Sequence, residues 1–271
     1  MINENVMKLR SLVFLALIVA AIECLTGCLT VHTSSIAAHD SLHFPTVGMR
    51  ARKTVSEGGF VLKTTPTFSV LDDAYTHSIQ GGYVHSVVIP LFPNAKLSLA
   101  GGVSGYFARN TLSGVFEGTE QETKSFNGYG FTGQFKPALF FGSRGGRFML
   151  GGNFVYNKEF GDYLDFRHTF DALNVNYSGI NKRVDYSPHG QTFSMTLNPG
   201  FAYVLDKDCS VLVELGVGTQ FTDFVWDNHL RWLIYSLTLS YTGKHYWVWV
   251  GNEWFPGLNT GLTLGAGLRL R

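Results

Sequence analysis

The chain has 271 residues and a formal net charge of +1, and only 15% of its residues are charged. Soluble domains carry about 25% charged residues, whereas this chain combines few charges with 31 glycines and 14% aromatic residues. The near-neutral charge gives no electrostatic basis for binding nucleic acid, and the length suits one large β domain. Composition therefore favours a β domain with an apolar surface and offers no support for a nucleic-acid partner.

The first residues are typical of an export signal. Lys8 and Arg10 precede an apolar run, residues 12–22, which is too short to cross a bilayer as a helix but suits the core of a signal peptide. The string LTGC follows at residues 25–28 and resembles the bacterial lipobox. This resemblance implies a signal peptide over residues 1–27 and lipidation of Cys28. The alternative is an ordinary signal cut before His39, with Cys28 incidental.

Residues 28–57 are predicted to form a lipidated N-terminal tether, because residues 29–45 are small and polar with no sustained period. By the sorting rule of the lipoproteins that the lipobox resembles, Leu29 in place of Asp implies the outer membrane. If Cys28 is acylated and Cys24 leaves with the signal, Cys209 has no partner. No disulfide framework is therefore expected.

From residue 58 onward, apolar residues alternate with small polar ones in ten stretches. The clearest example is residues 192–221, in which two alternating arms flank a short turn at 206–208. Successive strand side chains point to opposite faces, and each arm reaches the ~9–11 residues that a tilted membrane-spanning strand requires. The predicted strands cover residues 58–68, 83–91, 97–107, 129–141, 147–157, 192–205, 211–221, 233–241, 246–254 and 262–270.

The connections between these strands alternate in length. Short turns are predicted at 93–94, 143–146, 206–208 and 243–244, and longer segments at 71–80, 109–125, 161–190, 224–229 and 255–258. Outer-membrane barrels show this asymmetry, with short periplasmic turns and long outer loops.

Residues 58–271 therefore resemble a bacterial outer-membrane β-barrel: all-β, antiparallel, up-and-down and transmembrane, with about ten strands and a range of about 8–12. An even strand number predicts both termini on the periplasmic side. The alternative is a soluble, lipocalin-like, ligand-binding lipoprotein whose apolar faces point inward. Glycine, serine and threonine on the opposite faces, instead of lysine and acids, argue against that alternative.

Charged residues on the small-residue faces are predicted to lie inside the barrel. A barrel of this size is narrow and filled by its side chains, so interior charges must be paired. We expect a network that plugs the barrel; a narrow porin-like channel for small solutes is the alternative. The predicted interior charges are Lys136, Arg147, Glu214, Glu253 and Arg269.

No motif predicts catalysis, a cofactor or a metal. His77, His85, His168 and His189 have nearby serines or acids, as barrel proteases and lipid-modifying barrel enzymes require, but none lies in a recognisable family motif. The histidine spacing does not match a zinc site. The expected protein is thus a non-enzymatic outer-membrane protein that interacts with its surroundings or stabilises the envelope.

The long segment at 161–190 is the candidate binding loop for an extracellular ligand. Long loops with their own aromatic side chains are often binding elements. A loop that merely folds over the barrel mouth, or a hairpin extending two strands, is the alternative. The candidate residues are Tyr163, Phe166, His168, Phe170, Tyr177 and Tyr186.

Overall fold

Ten antiparallel strands close into a barrel in the computed structural model, which confirms the predicted fold class. The structure describes residues 29–32, 42–45, 52–69, 74–114, 122–142, 145–170, 183–186, 190–206, 208–222, 233–254 and 259–270. The barrel strands are β2 (Val55–Ser69), β3 (Ala74–Phe92), β4 (Ala95–Gly114), β5 (Glu122–Phe141), β6 (Gly146–Phe160), β8 (Gln191–Val204), β9 (Ser210–Thr222), β10 (Leu233–Thr242), β11 (Tyr246–Trp254) and β12 (Asn259–Leu270).

Each barrel strand pairs with its neighbours in the sequence, and β12 pairs with β2 to close the ring. Three elements lie outside the ring: β1 (Leu29–His32), the helix α1 (Asp162–Phe170) and β7 (Arg183–Tyr186). β1 and β7 form a two-stranded parallel sheet. The segment at 161–190, predicted to be irregular, therefore contains a helix and a short strand. No helix among the described residues is long and apolar enough to cross a membrane.

Several strands are longer than their sequence pattern predicts. β3 begins at Ala74, and β4 and β5 extend to Gly114 and from Glu122, so the predicted loops at 71–80 and 109–125 were too long. These extensions are rich in polar residues, which weakens the alternation. Their polar side chains pair across the strands instead, as in the 2.8 Å hydrogen bond from Thr76 Oγ1 to Asn110 Oδ1.

The barrel has an apolar outside and a polar inside. On the outer face, Phe60, Leu62 and Val103 are 60%, 62% and 65% exposed, whereas Lys63 and Gln80 on the inner face are 2% and 0% exposed. Water cannot be the solvent of such an outer face, because an exposed apolar patch of this extent would drive aggregation. The lipocalin-like alternative is therefore wrong: the faces are oriented as in a membrane barrel.

Exposed aromatic side chains mark both ends of the apolar band. Tyr129 stacks on Phe160 toward the long-loop end, with ring centroids 6.0 Å apart. Tyr241 and Tyr246 lie 6.1 Å apart at the short-turn end. Aromatic rings concentrate at the two membrane–water interfaces of such barrels. The part of the barrel between these two bands of aromatic side chains is therefore the membrane-spanning part.

Candidate functional site: the lumen and its long-loop end

A buried ion pair crosses the barrel lumen. Lys136 of β5 and Glu214 of β9 lie on strands that are not neighbours, and Lys136 Nζ is 2.6 Å from both carboxylate oxygens of Glu214. Asn198 Nδ2 donates a 2.8 Å hydrogen bond to Glu214 Oε1, and Thr196 Oγ1 donates one of 2.7 Å to Asn198 Oδ1. The side chains of three strands thus meet inside the barrel and obstruct it.

Residues 42–45, part of the predicted tether, lie inside the barrel. Leu42 and Phe44 are 1% and 6% exposed, and they join a buried apolar cluster on the inner wall. The cluster is completed by Val61, Val84, Ala100, Trp247 and Trp249. Trp247 Nε1 donates a 3.0 Å hydrogen bond to the carbonyl oxygen of His43. The lumen is therefore filled partly by a segment that precedes the barrel in the sequence.

The His43 imidazole is fully enclosed beside this network. Its ring centroid lies 5.9 Å from that of Trp249, and it lines the same polar cavity as Lys136 and Glu214. His43 therefore helps to fill the lumen beside the ion pair.

Two tryptophans occupy the lumen because glycines face them. Trp247 and Trp249 of β11 are in register with Gly267 and Gly265 of β12. A Cβ atom at Gly267 would lie 2.2 Å from the Trp247 ring, and one at Gly265 would lie 2.1 Å from the Trp249 ring. Only glycine leaves room for these indoles. This pairing is a feature that the sequence analysis missed, although the alternation Trp-Val-Trp-Val opposite Gly-Ala-Gly carries its signal.

The helix α1 packs across part of the long-loop end of the barrel. Arg167 of α1 and Glu159 at the end of β6 form a salt bridge with both side chains fully buried. The Arg167 guanidinium also lies over the Tyr163 ring, 4.8 Å from its centroid. Phe166 stacks on Phe126 of β5 at 4.1 Å. Charge pairing and aromatic packing together hold the helix against the barrel rim.

Local sequence explains why a helix forms at this point. Gly161 has a φ of +104°, and a side chain there would approach the Asn127 carbonyl oxygen at 2.9 Å, so glycine permits the sharp turn out of β6. The Gly161 carbonyl then accepts hydrogen bonds from the amides of Leu164 and Asp165. Acids stand in the first turn and bases in the last, which complements the helix dipole.

A third cluster secures the short-turn end. Arg269 Nε donates a 2.8 Å hydrogen bond to Glu57 Oε2, which joins the last barrel strand to the first. Arg269 Nη1 also donates to the carbonyl oxygens of Asp208 and Gly243 in two short turns. Arg147 Nη1 donates a 3.1 Å hydrogen bond to the Gly142 carbonyl in a third turn. These arginines therefore brace turns and the seam rather than line a pore.

The predicted site residues fall into separate groups. Lys136, Arg147, Glu214 and Arg269 are buried on the inner face, and only Lys136 and Glu214 form a pair with each other. Glu253 lies in β11, but its side chain is outside the described residues.

The candidate binding loop divides in the same way. Tyr163 is 3% exposed and packs inward, so it presents no surface to a ligand, and burial raises the pKa of its hydroxyl. Phe166 is half-buried and His168 is exposed on α1. Tyr177 and Cys28, together with the side chains of Phe170 and Tyr186, lie outside the described residues.

The histidines considered for catalysis are separated in the structure. His77 and His85 are exposed on the outer face, where His77 Nε2 lies 2.7 Å from Thr64 Oγ1 and His85 Nε2 lies 2.9 Å from Ser56 Oγ. His189 lies outside the described residues. Among the residues that the structure describes, no group of three or more His, Cys, Asp or Glu side chains could hold a metal ion.

Comparison with known proteins gives structural likeness only. No protein-family model matches the sequence, and no curated protein matches it. An outer-membrane channel from Pseudomonas putida F1 aligns at a TM-score of 0.45 and 10% identity over 84% of this chain and 100% of its own. The β domain of the Bordetella autotransporter BrkA gives 0.41 and 10% over 79% and 99%. OprG of Pseudomonas aeruginosa gives 0.32 and 8% over 80% and 95%.

These likenesses concern the fold. The closed ring of ten antiparallel strands and its apolar outer face, with polar side chains enclosed, are properties of this chain itself. Such a barrel is built for a bilayer, and it has short turns at one end and longer segments at the other. The chain thus has the fold of an outer-membrane β-barrel.

Proposed function

We propose that the protein is a closed, non-enzymatic outer-membrane barrel. It is held by a lipid on Cys28, both ends of its barrel domain are periplasmic, and its outer surface meets an extracellular ligand. The supporting observation is the obstructed lumen, where the ion pair of Lys136 with Glu214 and the inserted residues 42–45 occupy one cross-section.

The helix α1 obstructs the barrel at a second position, at its mouth. The buried salt bridge of Arg167 with Glu159 and the stacking of Phe166 on Phe126 hold this helix over the mouth. A solute would have to displace both the helix and the interior ion pair. Separating the partners of a buried ion pair is strongly unfavourable. The obstructed lumen therefore favours a closed barrel over a channel.

Conductance across a planar bilayer tests the closed state. The purified full chain is expected to give no discrete current steps, whereas a variant lacking residues 34–50 should give small ones because it lacks the inserted segment. Discrete steps from the unaltered chain, comparable to those of the deletion variant, would support the porin-like channel and overturn the closed barrel. Heat-dependent mobility on SDS gels verifies in parallel that both proteins are folded barrels.

Lipidation is tested on the same chain by mass spectrometry of the mature N-terminus. The expected N-terminal residue is acylated Cys28, and Cys28→Ala should abolish incorporation of labelled palmitate. An unmodified N-terminus beyond residue 28 would show an ordinary signal peptide instead. The barrel proposal survives that result, because the lipid and the barrel are measured separately.

The outer surface available to a ligand includes the exposed side of α1. Asp162, Asp165 and His168 lie on this side, and they are polar, as a water-facing contact surface requires. His168→Cys, in a Cys209→Ser background, should react with a membrane-impermeant maleimide on intact cells. Labelling only after permeabilisation would place α1 in the periplasm and reverse the proposed orientation.

A further inference from the structure

We propose that the N-terminal segment, residues 29–54, is threaded through the barrel lumen from the outer mouth to the periplasmic end. Cys28 then lies on the outer side of the membrane, and an acyl chain on it enters the outer leaflet. This inference rests on the membrane orientation proposed above. It follows from three points at which the segment is fixed.

The first fixed point lies at the outer mouth. β1 pairs in parallel with β7, with Leu29 opposite Arg183 and His32 opposite Tyr186. β7 belongs to the connection between β6 and β8 at the long-loop end, and it contacts α1, which packs on the rim. Residue 29 therefore lies at the end of the barrel that carries the long loops.

The second fixed point lies within the lumen and has a direction. Leu42 lies beside Gly102, seven residues into β4 from its short-turn end. Phe44 and Pro45 share a cavity with Met149 and Leu212, which lie within three residues of the short-turn ends of β6 and β9. The chain therefore descends from residue 42 to residue 45 toward the short turns.

The third fixed point is the start of the barrel. β2 begins at Val55, which is in register with Val88 near the short-turn end of β3. Glu57 nearby is bonded to Arg269 at the end of β12. The segment thus leaves the lumen at the opposite end from the one where β1 lies.

A path around the outside of the barrel is too long. Residues 33–41 link β1 to Leu42 and can span at most about 36 Å when fully extended. β8 has 14 residues, so at about 3.4 Å per residue and a tilt of 35–45° the wall beside β7 is roughly 34–39 Å high. A path outside the barrel would have to cover the height of the wall, its thickness and the distance from the short-turn end up to Leu42. Together these distances exceed the reach of residues 33–41. Only entry through the outer mouth fits.

This threading changes the expected position of the lipid. An even strand number predicts both termini on the periplasmic side, and the ends of the barrel domain do lie together at the short-turn end. The argument from strand number treats residues 28–57 as a tether beneath the barrel. Because this segment instead enters the lumen, its first residue lies on the opposite side from its last.

An epitope placed after His32 tests the threading in the full-length chain. A short peptide epitope inserted between His32 and Thr33 should bind its antibody on intact cells. The matched control carries the same epitope after Asn94, in the exposed β3–β4 turn, and should bind only after permeabilisation. An insertion within 115–121 is the positive control for the outer side.

The possible outcomes separate the two proposals. Equal staining of the His32 and 115–121 insertions on intact cells, without staining of the Asn94 insertion, supports threading. Staining of the His32 insertion only after permeabilisation, in a protein that retains heat-dependent mobility, overturns threading but leaves the outer-membrane barrel intact. Loss of heat-dependent mobility in the unaltered chain would instead contradict the barrel proposal itself.

Discussion

Removing Lys136 should destabilise the barrel more than any exposed substitution. Lys136→Met keeps most of the side-chain volume but removes the cation that pairs with the Glu214 carboxylate. The hydrogen bond from the neutral amide of Asn198 to Glu214 remains. Breaking a buried ion pair at one partner costs about 3–5 kcal/mol, whereas replacing both partners is often neutral. The double variant Lys136→Met, Glu214→Gln should therefore recover most of the stability that either single variant loses.

The expected size of the effect follows from chain length. For a domain of 150–250 residues, 1 kcal/mol shifts Tm by about 2–4 °C. The single variant should therefore melt roughly 6–20 °C below the unaltered protein. A positive coupling of at least ~2 kcal/mol is expected across the double-mutant cycle, because Lys136 and Glu214 are in direct contact.

The assay is the temperature at which the folded band disappears on SDS gels, combined with urea unfolding in detergent micelles to obtain free energies. Lys244→Met, at an exposed position in the β10–β11 turn, is the matched control and should change neither quantity. Additive effects of the two single substitutions, with a coupling below about 0.5 kcal/mol, would refute the view that this pair spans the lumen as one unit.

Two further results are expected. Gly267→Ala should lower the barrel's Tm, because the new Cβ meets the Trp247 ring and overpacking costs about 1–3 kcal/mol. The control Gly133→Ala should leave Tm unchanged, because a Cβ there meets nothing within 4 Å. Equal Tm values for the two variants would contradict this prediction. Arg167→Met should remove the buried salt bridge to Glu159 and release α1. Protease should then cleave the outer loops faster on intact cells, and an unchanged rate would count against this prediction.

The alternation of apolar and polar residues predicts the barrel well, because each face of a strand has the polarity of its surroundings. Phe60, Leu62 and their counterparts on other strands face lipid, and small polar residues face the interior, so period and polarity agree over most of the chain. The pattern fails beyond the apolar band. There polar residues pair across the strands, as Thr76 and Asn110 do, so the sequence of a strand resembles that of a loop.

The contents of the lumen are less accessible to sequence reasoning. The segment at 42–45 is too short to show a period, and its contact with Trp247 joins residues 204 apart in the sequence. The helix α1 is similarly hidden, because Arg167 and Glu159 are polar residues that appear exposed until the fold pairs them. The alternation of apolar and polar residues identifies the side chains that face the lumen but not their partners, because pairing depends on which strands face one another across the ring.

The inserted segment is part of the folded barrel rather than an accessory to it. Trp247 is fully buried, and its indole N–H is satisfied by the His43 carbonyl, so withdrawal of the segment leaves a buried donor without that partner. Leu42 and Phe44 would also leave an apolar void against Val84 and Trp249. The wall and residues 42–45 therefore stabilise each other.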